Sequence, residues 1–275
     1  MGVASEVGRG AIRLSLGRDT TEQEIEEVIS RLTRGAAMSR SKASITGPKA
    51  YIAWRATALG TITEAIEQRL ILELIDQLAS RRVLDVGCGD GALVCAAALR
   101  GAQAMGIDPD PAMLGAARSH ADKAGVRASF FEGRVERLPF PDASFDVVAS
   151  VTALCFVQDA AGAVREMARV LRPGGRLVLG ELGRWSLWAA IRRVRGWLGS
   201  ATWNAARFRT VSELRALAEQ AGLSVMVIRS AIYYPPIGFF ARALAPIDSW
   251  FGSLTTLGAA FIALGAVLPS KDRRR

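Results

Sequence analysis

Val83-Leu84-Asp85-Val86-Gly87-Cys88-Gly89-Asp90-Gly91 is the stretch on which the reading of this chain turns. An apolar run of strand length meets three glycines spaced by two, and a helical pattern follows. Glycine lets backbone approach a ligand closely, and the helix behind it presents unpaired N–H groups. Dinucleotide-binding turns use a G-x-G-x-x-G spacing instead. Here Asp85 also sits inside the strand, two residues before the first glycine. A pyrophosphate gains nothing from a carboxylate at that point, whereas a ligand with a cationic amino-acid end does.

Working outward, short apolar runs alternate with helical patterns, the rhythm of a mostly parallel α/β sheet. Strands are expected at 82–86, 103–107, 128–132, 145–150, 176–180 and 223–229. Helices are expected at 62–78, 91–100, 112–123, 160–171 and 211–221. Asp108 ends the second strand in Gly106-Ile107-Asp108-Pro109-Asp110. One βαβ unit beyond Asp85, a carboxylate is placed to accept from both hydroxyls of a ribose.

Four segments, VLDVGCGDG, GIDPDPAMLGAAR, LPFPDASFDVV and REMARVLRPGGRLVL, stand in an order and spacing that resembles the class I S-adenosylmethionine-dependent methyltransferases of the UbiE-like, methyltransferase type 11 family. The resemblance runs from about residue 51 to 222. It implies a Rossmann-like, seven-stranded, mostly parallel sheet with an antiparallel last strand, and S-adenosyl-L-methionine as cofactor. By the same resemblance Asp85, Gly87, Cys88 and Gly89 meet the methionine end, Asp108 the ribose, and Pro109 and Met113 the adenine. One departure stands out. Where the family often has Gly-Asp-Ala, this chain reads Gly133-Arg134-Val135-Glu136. Arginine cannot accept the adenine amino group, which leaves backbone at Val135, or Glu136, for that contact.

Chemistry at the acceptor is less legible. Methyl transfer to an oxygen or carbon acceptor benefits from a base. Candidates are Tyr51, Thr152 and Glu181, with Cys155, Tyr233 and Tyr234 behind them. His120 is the single histidine, so neither a metal site nor a histidine relay is expected, and it reads as a surface residue. Cys88 and Cys95 read as core fillers. The three cysteines form no C-x-x-C pair and no secretory leader pattern opens the chain, which together read as free thiols in a cytoplasmic protein.

The net charge of +9 points to an acidic partner or to a surface simply rich in arginine. From Arg184 to Arg209, arginines alternate with Trp185, Trp188, Trp197 and Trp203, with no acid between them. Such a segment suits a cap on the acceptor pocket or peripheral contact with an anionic membrane. The function expected is therefore methylation of a small, apolar, lipid- or quinone-like acceptor. An RNA-directed methyltransferase and a non-catalytic, membrane-associated cofactor binder are the alternatives. Against nucleic acid, the chain lacks an Asn/Asp-Pro-Pro-aromatic loop after the fourth strand, where it reads Ser150-Val151-Thr152-Ala153-Leu154. Trp250 to Leu268 is uncharged, but its glycines and polar residues favour a loop or lid and a buried final strand at 259–267 over a membrane span.

The expected organisation is an N-terminal extension and linker at 1–45 and a methyltransferase domain at 46–270. That domain divides into a cofactor-binding core at 80–182, a cap at 183–210, and C-terminal strands and lid at 211–270. Residues 11–33 resemble the C-terminal end of a cysteine desulfurase, without that enzyme's catalytic residues. They read as a fusion remnant or as sequence before a true start at Met38. Deleting residues 1–37 is expected to leave cofactor binding intact, and a large fall in melting temperature on truncation would show the segment to belong to the fold.

Overall fold

The computed structural model describes residues 53–270. The extension, its desulfurase-like segment and Tyr51 lie outside them. Among the described residues, seven strands form one sheet: β1 (Arg82–Val86), β2 (Gln103–Asp108), β3 (Ser129–Glu132), β4 (Phe145–Val151), β5 (Leu171–Leu182), β6 (Ser224–Ala231) and β7 (Phe261–Val267). Their order is β3-β2-β1-β4-β5-β7-β6, with β7 antiparallel to both neighbours and the other pairs parallel. This is the Rossmann-like class I methyltransferase sheet. The chain reverses between β1 and β4, and the glycine turn leaves β1 at that switch point, where open α/β sheets bind ligands.

Helices cover both faces. The first is α1 (Ala58–Ile75), followed by α2 (Ala92–Ala98), α3 (Pro111–Ala124) and α4 (Ala160–Val170). Then come α5 (Leu187–Trp197), α6 (Ala201–Ala205), α7 (Val211–Gln220) and α8 (Gly238–Leu254). One core joins Ile71 and Leu74 of α1, Val94 and Ala97 of α2, Val83 of β1 and Phe261 of β7. The other joins Val164 and Met167 of α4, Leu214 and Ala218 of α7, and Leu84 and Val86 of β1. Alternate residues of β1 thus enter opposite cores, which is why Val83, Leu84 and Val86 are all apolar and Asp85 stands out among them.

Local chemistry fixes the helix starts. Thr57, Asp110, Asp159 and Ser186 accept from first-turn amides of α1, α3, α4 and α5, and Thr210 with Glu213 forms a capping box on α7.

Two expectations change. Within the stretch read as a loop or lid, residues 250–254 are helical, as the end of α8, which runs through Pro246. Its apolar residues are spaced for one helix, and Asp248 anchors it: the buried carboxylate accepts from the Ile232 and Tyr233 amides at 2.8 Å each. Among the described residues, no helix is long and apolar enough to cross a membrane. The Trp/Arg segment is two helices, α5 and α6, that turn back so that Gly183 bridges to Arg209. Trp188 is buried, and its Nε1 donates to the Tyr234 carbonyl at 2.7 Å.

Asp248→Ala leaves two amides without their acceptor. It should cost about 1–3 kcal/mol, and an unchanged urea midpoint would show that α8 does not depend on this anchor.

Candidate functional site

The site grows from the end of β1. Gly87, Gly89 and Gly91 have φ of 76°, 52° and 76°, conformations that L side chains rarely adopt. At Gly87 a Cβ would meet the Ala153 Cβ at 2.3 Å, whereas at Gly89 it would meet nothing within 4 Å. Gly87 is therefore held open by packing. Gly89 faces empty space, as a backbone cradle for a ligand requires. Cys88 fills the gap against Gly106, where a Cβ would lie 2.7 Å from its sulfur, and burial pushes its thiol well above the usual range.

Asp85 pairs in register with Gly106 of β2, two residues before Asp108, so both carboxylates share one face of the sheet. Asp108 is buried. One of its oxygens accepts from the Gly89 amide and the other from the Asp110 amide, each at 2.9 Å. Those bonds orient the carboxylate and leave a lone pair on each oxygen for a ribose hydroxyl. Asp85 is 4 % exposed, and one of its oxygens has no hydrogen-bond partner. Burial, and then the nearby Asp108 and Asp90 carboxylates, push Asp85 up to about 7. A buried, unpaired carboxylate beside an open glycine turn fits the ammonium of an amino-acid-bearing ligand.

Met113 is buried in the first turn of α3 and Pro109 is exposed just before it. Val135 is partly buried against the second core. Glu136 is exposed and pairs with Arg134 at 3.3 Å, so its carboxylate is already engaged. His120 is half-buried rather than on the surface, with Nδ1 3.3 Å from the Asp90 carbonyl. The backbone of α3 brings it against the glycine turn.

Of the acid–base candidates, Thr152 closes β4 with φ of 50° and donates its amide to the Gly180 carbonyl at 2.7 Å. Glu181 is fully buried and neither carboxylate oxygen has a well-formed partner. Burial pushes it up to about 8, opposed by Arg209 and by nearby amides of Cys155, Leu182 and Leu154. Cys155 is buried beside it. Tyr234 is buried, with its hydroxyl 3.0 Å from the Thr63 hydroxyl, and Tyr233 is tied to Ser230 and Thr255.

Two residues that sequence reading missed complete the site. Glu67 on α1 lies beside Arg192 on α5, and burial pushes its carboxyl up to about 7. Burial likewise lowers Arg192 to about 10, with Glu67 opposing. The Arg192 guanidinium stacks between Trp188 and Trp203, 4.9 and 4.6 Å from the ring centroids. It turns inward because the tryptophans flanking it in sequence fold over it. Neither residue carries a motif; only the four-residue spacing of Thr63 and Glu67 hints at a shared helix face.

The same helix reaches the glycine turn. Gln68 donates to the Ala92 carbonyl at 3.2 Å, and Arg55, just before α1, pairs with both Glu64 and Asp90. Through Thr63 and Glu67, α1 meets the cap; through Glu64 and Gln68, it meets the cofactor turn.

Residues 84–179 match the family model described as a methyltransferase domain. A ubiquinone biosynthesis O-methyltransferase of Idiomarina loihiensis is 37% identical over 170 residues, 60% of this chain and 70% of that protein. An uncharacterised protein of Mycobacterium tuberculosis is 32% identical over 236 residues, 86% of this chain and 77% of that one. The crystal structure of magnesium protoporphyrin IX methyltransferase from Synechocystis, with bound SAH, superposes with a TM-score of 0.56 at 18% identity, covering 76% of this chain and 85% of that one.

Two binding measurements test the site. Asp108→Ala should weaken S-adenosylmethionine binding by about 1–3 kcal/mol, and an unchanged calorimetric affinity would remove the ribose contact. Asp85 is protonated below about 7 in the free protein, so affinity should fall as pH drops through that value. Asp85→Asn should bind weakly at every pH, and a mutant that keeps the wild-type pH profile would assign the titration elsewhere.

Proposed function

The chain belongs to the class I S-adenosylmethionine-dependent methyltransferases, and from that we propose that it methylates a hydroxyl of a small, apolar, quinone-like acceptor held between α1 and the cap. The observation that carries this reading is that Arg192, stacked between Trp188 and Trp203, acts on the partly buried Glu67 carboxyl of α1, with Tyr234 edge-on to Trp188. Planar rings and enclosed carbon suit a planar apolar molecule, and a lone carboxyl suits one exchangeable proton. The printed name of the Idiomarina relative, an O-methyltransferase of ubiquinone biosynthesis, supports an oxygen acceptor of this class.

The cofactor supplies a methyl group on a positively charged sulfur. In this reading Asp85 would hold the cofactor's ammonium, Gly89 would give its backbone close approach, Asp108 would accept from the ribose, and Pro109, Met113 and the Val135 backbone would hold the adenine. Glu67, as carboxylate, would take the acceptor hydroxyl's proton, which leaves the oxygen able to accept the methyl group. Arg192 keeps that carboxylate from drifting further toward its neutral form. Trp188 and Tyr234 exclude water, which strengthens each of these charges. Glu181 and Thr152 act behind the site: the carboxyl lies near the amides of the 154–156 turn that carries Cys155.

Peripheral contact with an anionic membrane through 184–209 remains part of the proposal, with a different contact side. Trp185, Leu187, Trp197 and Leu198 are exposed, together with Arg195, whereas Arg192 is not available to lipid.

Glu67 is protonated below about 7. At saturating cofactor, kcat toward a soluble alkyl-substituted hydroxyquinol should therefore rise with pH through that value and level off above it. Glu67→Gln should lose this limb and about 10²–10⁴-fold in kcat, with cofactor affinity retained. Wild-type turnover in Glu67→Gln would remove Glu67 as the base.

A further inference from the structure

A second cleft, of about 460 Å³, opens on the outer side of the cap, between the end of α5, α6 and the strip 206–209. It shares Trp203 with the wall around Arg192, and the acceptor reading uses none of its other lining residues. The strip is fixed by backbone: Arg207 donates to the Cys155 carbonyl at 2.8 Å, Arg209 to Leu182 at 2.9 Å, and Arg184 to Arg209 at 2.9 Å. Four guanidinium groups line the cleft: Arg184, Arg193, Arg207 and Arg209.

Their hydrogen bonds leave much donor capacity unspent. Arg184 pairs with Glu213, the one acid in the lining, at 2.8 Å. Arg193 gives one bond to the Arg184 carbonyl at 2.8 Å and lies over the Phe208 ring. Arg207 gives one long bond, 3.3 Å, to the Gln158 carbonyl, and Arg209 one of 3.2 Å to Leu154. The Nε of Arg209 is buried with no acceptor at all. Among the described residues, Arg193, Arg207 and Arg209 have no carboxylate within ion-pair distance. Glu181 lies behind Arg209, on the inner side, beyond that range. Two guanidinium groups without an acidic neighbour, Arg193 and Arg207, thus share one opening with Arg209, whose charge acts on Glu181, and its other walls include Trp197 and Trp203.

We propose that this cleft binds a phosphate ester, its phosphoryl group held by Arg193, Arg207 and Arg209 and its apolar or planar body against Trp197 and Trp203. Guanidinium forks match phosphate oxygens two at a time. The volume exceeds what a bare phosphate needs and lies within the range of small-molecule sites. Two sources share this chemistry, a soluble phosphorylated molecule and the headgroup of a phospholipid.

Calorimetry with naphthyl phosphate and with inorganic phosphate, on the full chain, tests it. Naphthyl phosphate should bind the more tightly, and Trp197→Ser should erase the difference. Arg193→Gln and Arg207→Gln should each weaken both probes by about tenfold, the loss of one charge-assisted contact of about 1.4 kcal/mol. Arg195→Gln, an exposed charge of α5 outside the cleft, should leave the calorimetric affinity for both phosphates unchanged. Retained S-adenosylmethionine binding shows each variant to be folded. Sedimentation with phosphatidylglycerol vesicles then separates the sources. Arg207-dependent sedimentation identifies a headgroup, and naphthyl phosphate binding without sedimentation identifies a soluble ester. Absence of binding by either phosphate, or an equal loss in Arg195→Gln, overturns the proposal.

Discussion

The carboxylate of Asp108 accepts from the amides of Gly89 and Asp110 at once, and the rest of the site depends on this pair of bonds. They tie the glycine turn after β1 to the end of β2, so the loop cannot move without the neighbouring strand. With the turn fixed, Gly89 keeps its left-handed conformation over empty space, and Asp85 is left in the sheet face beneath with one oxygen unpaired. An unpaired buried carboxylate costs free energy in the ligand-free protein. That cost is the expected mark of a place where a cationic ligand supplies the missing partner.

Around this centre, α1 acts as a lever between cofactor turn and cap. Gln68 and the Arg55–Glu64–Asp90 pairs bind it to the turn, and Thr63 bonds it to Tyr234. The cap in turn is anchored through Trp188, whose indole reaches the Tyr234 carbonyl. The Arg192 charge is tolerated in the cap because two aromatic faces flank it and the Glu67 carboxyl acts on it from α1.

The arginine-rich character of this chain resolves into roles that net charge does not separate. Arg192 is held between two indole rings, Arg169 joins Glu166, Asp142 and the Leu138 carbonyl in holding the loop before β4, and Arg172 with Asp146 pins the edge of β5 to β4. At the outer cleft of the cap, Arg193 and Arg207 line one opening together.

By itself the sequence determined the sheet, the glycine turn and the two acids, Asp85 and Asp108. Each depends on residues close in the chain: a strand's apolar run, a positive-φ turn and one βαβ unit. The N-capped helices 111–124 and 160–170 were legible for the same reason, since Asp110 and Asp159 cap amides only two or three residues away. Only the tertiary structure decided which face of the Trp/Arg segment turns inward, that Glu67 comes within reach of the Arg192 charge, and that residues 250–254 close a helix. Thr63 and Tyr234, or Asp248 and Ile232, are brought together by packing between elements that no local pattern links. The stretch 184–209 also satisfies an amphipathic pattern in more than one orientation. Its orientation was set by where Trp188 could find both an apolar core and an acceptor for its N–H, and that place is the carbonyl of Tyr234, forty-six residues further along the chain.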